Sequence, residues 1–183
     1  MTQHRLRLTR LFVLAALLLL PGAARAQELY TFTASVLGGL GGSLDADPGD
    51  DLGNTGFQLN LTMVTEPRTQ VGFRLGRLGL DSQDRFGSLS EADLSYVTVA
   101  GEYRFPQSYY ESGLYLGLGG YRLEGTRGGQ DESDTAVGLT LGVTGEFKVT
   151  QWLGVLVELS GHYADLDEAQ FFALGHAGLA IHF

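Results

Sequence analysis

Apolar and polar side chains alternate residue by residue along much of this 183-residue chain. The clearest case is residues 57–63, FQLNLTM, where four apolar side chains are separated by Gln, Asn and Thr. A period of two residues predicts a β-strand whose two faces meet different surroundings. Eight segments follow this pattern, and their apolar faces lie within residues 30–36, 57–63, 71–75, 97–105, 114–118, 137–149, 153–163 and 171–183.

Short turns and long polar loops alternate between these segments. The short turns fall at 66–68, 106–108 and 150–151, and the long loops at 41–56, 80–93, 124–134 and 164–169. Strands joined directly by turns run antiparallel. The sequence therefore predicts an all-β fold in which eight antiparallel strands follow one another up and down.

The last predicted strand carries a specific resemblance. Residues 171–183 read FFALGHAGLAIHF, with apolar residues at alternate positions and Phe183 at the carboxy-terminus. This strand resembles the terminal targeting strand of bacterial outer-membrane β-barrels. The resemblance to the small OmpA/OmpX-type barrels extends over residues 27–183. It implies an eight-stranded antiparallel up-and-down transmembrane β-barrel in the bacterial outer membrane, with short turns in the periplasm and long loops outside.

The same resemblance implies partners. Outer-membrane lipid and lipopolysaccharide would surround the barrel, which is expected to be a monomer. Leu179, Ile181 and Phe183 would form the face that the barrel-assembly machinery recognises, and periplasmic chaperones would act during biogenesis.

A soluble, lipocalin-like barrel is the alternative, with its apolar face turned inward. Two observations favour the membrane. The apolar face carries no charge along the centre of any predicted strand, and its aromatic residues cluster at strand ends, as in the interfacial girdles of membrane barrels. Those near the short turns are Tyr30, Tyr103, Phe105, Phe147 and Phe183, and those near the long loops are Phe57, Tyr163 and Phe171.

The amino-terminal segment reads as a secretory signal peptide. Basic residues precede an uncharged run from Leu11 to Leu20, and Ala24-Arg25-Ala26 has the small-residue pattern of a cleavage site. We expect residues 1–26 to be removed and 27–183 to form the barrel. The chain has no cysteine, which excludes a disulfide scaffold and a lipoprotein.

Removal of residues 1–26 leaves 8 basic and 21 acidic residues, a formal net charge of −13. Such a chain is not expected to bind nucleic acid. Fifteen of the acidic residues lie in the long loops, where simple solvation is favoured over divalent-cation bridging to lipopolysaccharide phosphates. Asp45 and Asp47 begin like a calcium loop, but glycine stands at later ligand positions, so no metal or cofactor site is predicted.

Several ionisable residues share the inward-facing positions of the predicted strands. Three cations and three carboxylates could neutralise one another in a narrow interior. Arg74 is expected to meet Glu158 across the barrel or Glu102 beside it, and Glu102 and Arg104 are expected to approach His176. We predict a lumen plugged by this charge network, with a gated path for protons or small ions as the alternative. Its members are Arg74, Glu102, Arg104, Glu146, Lys148, Glu158 and His176.

Two classes of function remain open from the sequence. The favoured one is a non-enzymatic surface barrel whose acidic loops contribute to envelope integrity or adhesion. The other is a lipid A-modifying enzyme, because His162-Tyr163-Ala164 resembles the His-x-Ser of lipid A deacylases. Ala164 stands where the nucleophilic serine would be, which leaves only Ser160, two residues before His162, as a candidate alcohol. His162 is otherwise expected to be a polar residue at the barrel rim, with no catalytic role.

Overall fold

A computed structural model describes residues 32–45, 52–80, 88–107 and 110–183. The predicted signal peptide and Tyr30 lie outside these residues. Eight strands close into one antiparallel barrel in the order of the chain, and the eighth pairs with the first. The predicted eight-stranded barrel is confirmed. The strands are β1 (Phe32–Ser43), β2 (Asn54–Glu66), β3 (Thr69–Gly79), β4 (Ser90–Pro106), β5 (Tyr110–Arg127), β6 (Gln130–Lys148), β7 (Leu153–Ala164) and β8 (Phe171–His182).

Alternation along each strand places the leucine- and valine-rich face outside. Leu116 and Leu118 of β5 are 61% and 59% exposed, whereas Tyr115, next to Leu116 on the opposite face, is 1% exposed. A soluble barrel would show the reverse arrangement. Among the described residues, no helix is long and apolar enough to cross a membrane.

Aromatic side chains border this outward apolar belt. Phe105 and Phe147 are exposed near the short turns, and Phe57 and Phe171 near the opposite end. We call the end with the short turns and Phe183 the turn end, and the opposite end the loop end. The belt and its two aromatic borders form the kind of surface that a membrane barrel turns towards lipid.

The predicted loop at 124–134 is wrong. Strands β5 and β6 continue through it and stay paired up to Arg127 and Gln130, so only Gly128 and Gly129 form the turn. Both glycines have positive φ, 59° and 85°. Two central residues with positive φ are typical of a type I′ turn, whose twist matches that of the flanking strands. The acidic segment is therefore part of a long hairpin.

Apolar side chains fill the lumen at the loop end, a feature that the strand pattern did not predict. Leu78, Leu94 and Leu174 point inward from three strands, and Leu166 covers them from the β7–β8 connection. This cluster, here called the apolar plug, is buried and contiguous, like the core of a soluble protein. Its members are Leu78, Leu80, Leu89, Ala92, Leu94, Tyr96, Tyr121, Leu123, Ala164, Leu166, Ala169, Phe172 and Leu174.

The turn end of the lumen is polar and open. A basin of about 450 Å³ lies there, with Arg68 at its edge and Arg104, Glu111 and His182 on its walls. Further inside, the free space beside Arg74 shrinks to about 20 Å³, room for little more than a single water molecule. The interior thus passes from an open basin through packed charges to the apolar plug.

Candidate functional site

Arg74 lies at the centre of the barrel interior with a side chain that is only 2% exposed. Its Nη2 donates a hydrogen bond to Glu102 Oε2 at 3.0 Å, and its Nε lies 3.5 Å from Glu158 Oε2 in an ion pair. The guanidinium also lies 3.7 Å from the ring centroid of Tyr115, a cation–π contact. A charge this far from water requires such partners.

Glu158 gathers more polar contacts than any other buried carboxylate described. Its Oε1 accepts hydrogen bonds from Tyr115 Oη at 2.7 Å and Gln58 Nε2 at 2.9 Å. Gln58 Oε1 in turn accepts from Tyr96 Oη at 2.6 Å. The carboxylate on β7 is therefore held by β2, β3 and β5, and the hydrogen bonds span the lumen.

A second group of charges surrounds the basin at the turn end. Arg104 Nη2 lies 2.8 Å from Glu146 Oε2 and 3.0 Å from Glu111 Oε2. Lys148 pairs with Glu111, and His182 contacts Glu146 through Nε2. His182 Nδ1 also lies 2.9 Å from Thr33 Oγ1, across the junction between β8 and β1. These contacts join β4, β5, β6, β8 and β1 at the mouth of the barrel.

The structure brings six of the seven inward residues into these two groups but leaves His176 apart. His176 is buried, yet neither of its ring nitrogens has a hydrogen-bond partner among the described residues. Neither Glu102 nor Arg104 forms a hydrogen bond with His176, and both are paired with other side chains. Sequence reasoning missed Glu111 and His182, although both occupy the turn-end segments of their strands.

Inward-facing glycines make room for the large polar side chains. A Cβ on Gly142 would lie 2.5 Å from Cζ of Tyr115, and a Cβ on Gly76 would collide with the ring of Tyr96. The two tyrosine rings lie against neighbouring strands at these positions. The glycines thus allow both hydroxyls to reach the hydrogen bonds around Glu158.

His162 is not at the rim, so that expectation is wrong. It is buried against the plug, with Nδ1 2.9 Å from Tyr121 Oη and Nε2 3.0 Å from Ser160 Oγ. The imidazole and the alcohol do meet, as a nucleophile and its base would. Both nevertheless face the closed lumen, while a membrane lipid would contact the opposite side of β7. Ser160 and His162 are therefore buried on the side of β7 that faces away from lipid.

Carboxylates at the loop end tie neighbouring connections together. Glu168, after β7, accepts hydrogen bonds from the backbone N–H of Ser88 at 2.9 Å and its Oγ at 2.6 Å, and it pairs with Arg127. Partial burial acts to raise the pKa of Glu168, but these contacts outweigh it and lower the pKa below its ordinary value. Asp45 similarly accepts from the backbone N–H groups of Gln170 and Phe171. The described part of the chain holds no group of three His, Asp or Glu residues suited to a metal ion.

The terminal strand has two distinct faces. Leu179, Ile181 and Phe183 are exposed on the outside, at 54%, 49% and 66%. The backbone of Phe183 exchanges two hydrogen bonds with Phe32, at 2.7 and 2.9 Å, and their rings stack with centroids 6.0 Å apart. The carboxy-terminal residue therefore takes part in closing the barrel.

Comparison with known proteins supports the fold. No protein-family model matches the chain, and no curated protein matches its sequence. Among solved structures, Neisserial surface protein A is similar with a TM-score of 0.67 at 15% identity, covering 83% of this chain and 96% of that one. Ail, the attachment invasion locus protein of Yersinia pestis, gives 0.56 at 18% identity, with coverages of 84% and 97%.

A major outer membrane protein from Thermus thermophilus gives a TM-score of 0.60 at 14% identity, covering 84% of this chain and 99% of that one. At these identities the likeness concerns architecture, since unrelated functions share folds. The closed antiparallel ring, the outward apolar belt and these similarities lead to one conclusion. The chain has the fold of the small bacterial outer-membrane β-barrels.

Proposed function

We propose that this protein is a non-enzymatic integral barrel of the outer membrane, with a closed lumen and a role in envelope structure or surface attachment. The observation that carries the proposal is the contrast between the two faces of the wall. Outside, a leucine-rich belt is exposed and uncharged at its centre. Inside, the Arg74 contacts cross the lumen, and the buried apolar plug lies at its loop end. Such a molecule is built to sit in lipid and to present its loop end, and not to pass solutes.

The loop end supports the surface role. The long β5–β6 hairpin extends beyond the last β6–β7 pair, Gly138 with Ala164, and it carries Asp131, Glu132 and Asp134. A paired hairpin tied to its neighbours is a firmer platform for contact than a solvated loop. One similar barrel, Ail, is an attachment invasion locus protein and has been solved with the heparin analogue sucrose octasulfate. This supports attachment as the class of role, and the ligand of the present chain is left open.

The proposal is tested in cells that express the chain. Membrane fractionation should place the protein in the outer membrane, and gel migration should depend on heating, because folded barrels resist unfolding in detergent. Added protease should cut the β5–β6 hairpin in intact cells at Arg127, while the turn at Arg68 is protected until the outer membrane is opened. Recovery in a soluble fraction without heat-dependent migration would contradict the proposal.

A further inference from the structure

An apolar groove of about 510 Å³ runs down the outer wall near the loop end. Its floor is formed by the small residues Ser95 on β4 and Gly120 on β5, and larger apolar residues line its sides. The groove is deep at Gly120 because this residue has no side chain, and nothing lies within 4 Å of the position that a Cβ would take. The groove thus interrupts an apolar belt that is otherwise covered with leucine and valine.

Two arginines stand at the loop-end limit of this groove. Arg77 pairs in register with Ser95, which pairs with Arg122, so the two arginines flank Ser95 in one row across three strands. Two strand spacings separate them, or about 9.5 Å between backbones. Among the described strand residues, Arg77 and Arg122 are the only arginines or lysines at outward-facing positions, the same positions that carry the exposed apolar side chains. Both guanidinium-bearing side chains are 55% exposed.

Carboxylates hold the two arginines without using all their donors. Arg77 donates through Nε and Nη2 to Asp93 at 3.2 and 2.7 Å, and Arg122 Nη2 lies 2.6 Å from Glu124 Oε1. Asp93 and Glu124 are a register pair, nearer the loops. Each guanidinium has five N–H donors, so donors remain that can face a further anion. Arginine is the side chain best suited to a phosphate in such a position.

We propose that this groove binds a phosphorylated lipid of the outer leaflet, namely lipid A, with an acyl chain along Gly120 and a phosphate at Arg77 and Arg122. The inference rests on the proposed outer-membrane placement. Apolar surface lies below the arginines and charge lies at them, which is the order of acyl chain and headgroup in a leaflet. A ligand with both parts gains apolar burial and charge-assisted hydrogen bonds at one site.

The test uses the full barrel refolded in detergent and offered lipid A, with retained lipid measured by native mass spectrometry. Dephosphorylated lipid A and phosphatidylglycerol are the comparison lipids, and EDTA is present to remove divalent cations. The double variant Arg77→Gln/Arg122→Gln removes the charge. Gly120→Leu fills the groove, and Gly161→Leu is its matched control, because Gly161 is another outward glycine with open space around it.

We expect Arg77→Gln/Arg122→Gln and Gly120→Leu each to weaken lipid A retention roughly tenfold, as the loss of a charge-assisted contact or of buried apolar area predicts. Gly161→Leu and Arg68→Gln should bind as the unaltered chain does. Equal retention of dephosphorylated lipid A or of phosphatidylglycerol would overturn the assignment, and so would binding abolished by EDTA. Heat-dependent migration is followed in parallel. A chain that never inserts into bilayers contradicts the membrane placement itself, whereas an inserted barrel without lipid preference contradicts only this site.

Discussion

Arg74 on β3 and Glu158 on β7 meet inside the barrel, with Nε and Oε2 3.5 Å apart, although their strands lie on opposite sides of the ring. Arg74 is also paired with Glu102, so one cation contacts two buried carboxylates. Removing either the cation or a carboxylate should destabilise the fold, because a buried charge without a partner has an unfavourable free energy.

Replacing Arg74 should therefore be the most damaging change in the lumen. We expect Arg74→Met to lower the free energy of unfolding by about 3–5 kcal/mol, since it leaves two carboxylates without their cation. In a double-mutant cycle with Glu158→Gln, the coupling should be about 0.5–3 kcal/mol. Urea unfolding in lipid vesicles measures both quantities. The exposed pair Arg122 and Glu124 is the control, with an expected coupling of at most about 1 kcal/mol. Additive effects at Arg74 and Glu158 would show that the contact contributes nothing.

Gly142 should tolerate no side chain, because Tyr115 occupies the space. We expect Gly142→Ala to destabilise the barrel by roughly 1–3 kcal/mol, since the rigid ring must move and Tyr115 Oη then leaves Glu158. Gly101→Ala is the matched control, as a Cβ there meets nothing within 4 Å. Unfolding in vesicles and tyrosine absorbance together report the change. Equal stability of the two variants would contradict this packing.

Protonation of Glu168 at low pH should weaken its contacts with Ser88 and Arg127, which hold the loop-end connections together. Its pKa lies below the ordinary glutamate value in the folded protein, so its stabilising effect is full above that ordinary value. The effect is lost as the pH falls through the lowered pKa and the carboxylate gains a proton. Hydrogen exchange at the backbone N–H of Ser88 should then accelerate beyond the intrinsic acid dependence. Glu168→Gln should exchange faster at neutral pH and lose this extra dependence, and an unchanged profile would contradict the contact.

We propose that the barrel-assembly machinery recognises Phe183 together with Leu179 and Ile181. Phe183→Ala retains the backbone hydrogen bonds to Phe32, so it isolates the ring. We expect this variant to reach the outer membrane at a small fraction of the normal level, yet to fold normally in vesicles without the machinery. Phe147→Ala, which removes a similarly exposed aromatic, should assemble at the normal level. Normal amounts of Phe183→Ala in cells would count against a recognition role.

The sequence was sufficient for the barrel because alternation is a local signal. The alternation within a strand shows which of its residues share a face, without reference to other strands. The inward positions of Arg74 and Glu158 follow from this alternation alone. Contacts across the lumen depend on shear and side-chain reach, which no single strand contains. That is why strand order alone suggests Glu102 near His176, whereas Glu102 pairs with Arg74 and Thr144 instead.

Two features were missed although signals for them existed. The paired glycines Gly128 and Gly129 are a hairpin signal, but the acidic residues around them gave the segment the composition of a solvated loop. The apolar plug arises where Leu78 and Leu174 occupy inward positions. At these strand ends apolar residues lie on both faces of the barrel wall. The alternation of apolar and polar residues is therefore weak there, and the sequence resembles the boundary of a loop. The leucines at inward-facing strand positions would have indicated a filled interior.

Conductance in planar lipid bilayers tests the central claim most directly, namely that this is a membrane barrel with a closed lumen. The refolded chain should insert, as shown by protection of its strands from protease. It should give no steady current, because the buried apolar plug lies at the loop end and the free space beside Arg74 is only about 20 Å³. Widening the interior with Leu78→Ser/Leu174→Ser should not produce a current unless the charges around Arg74 are also removed. Steady single-channel conductance by the unaltered barrel would contradict this account.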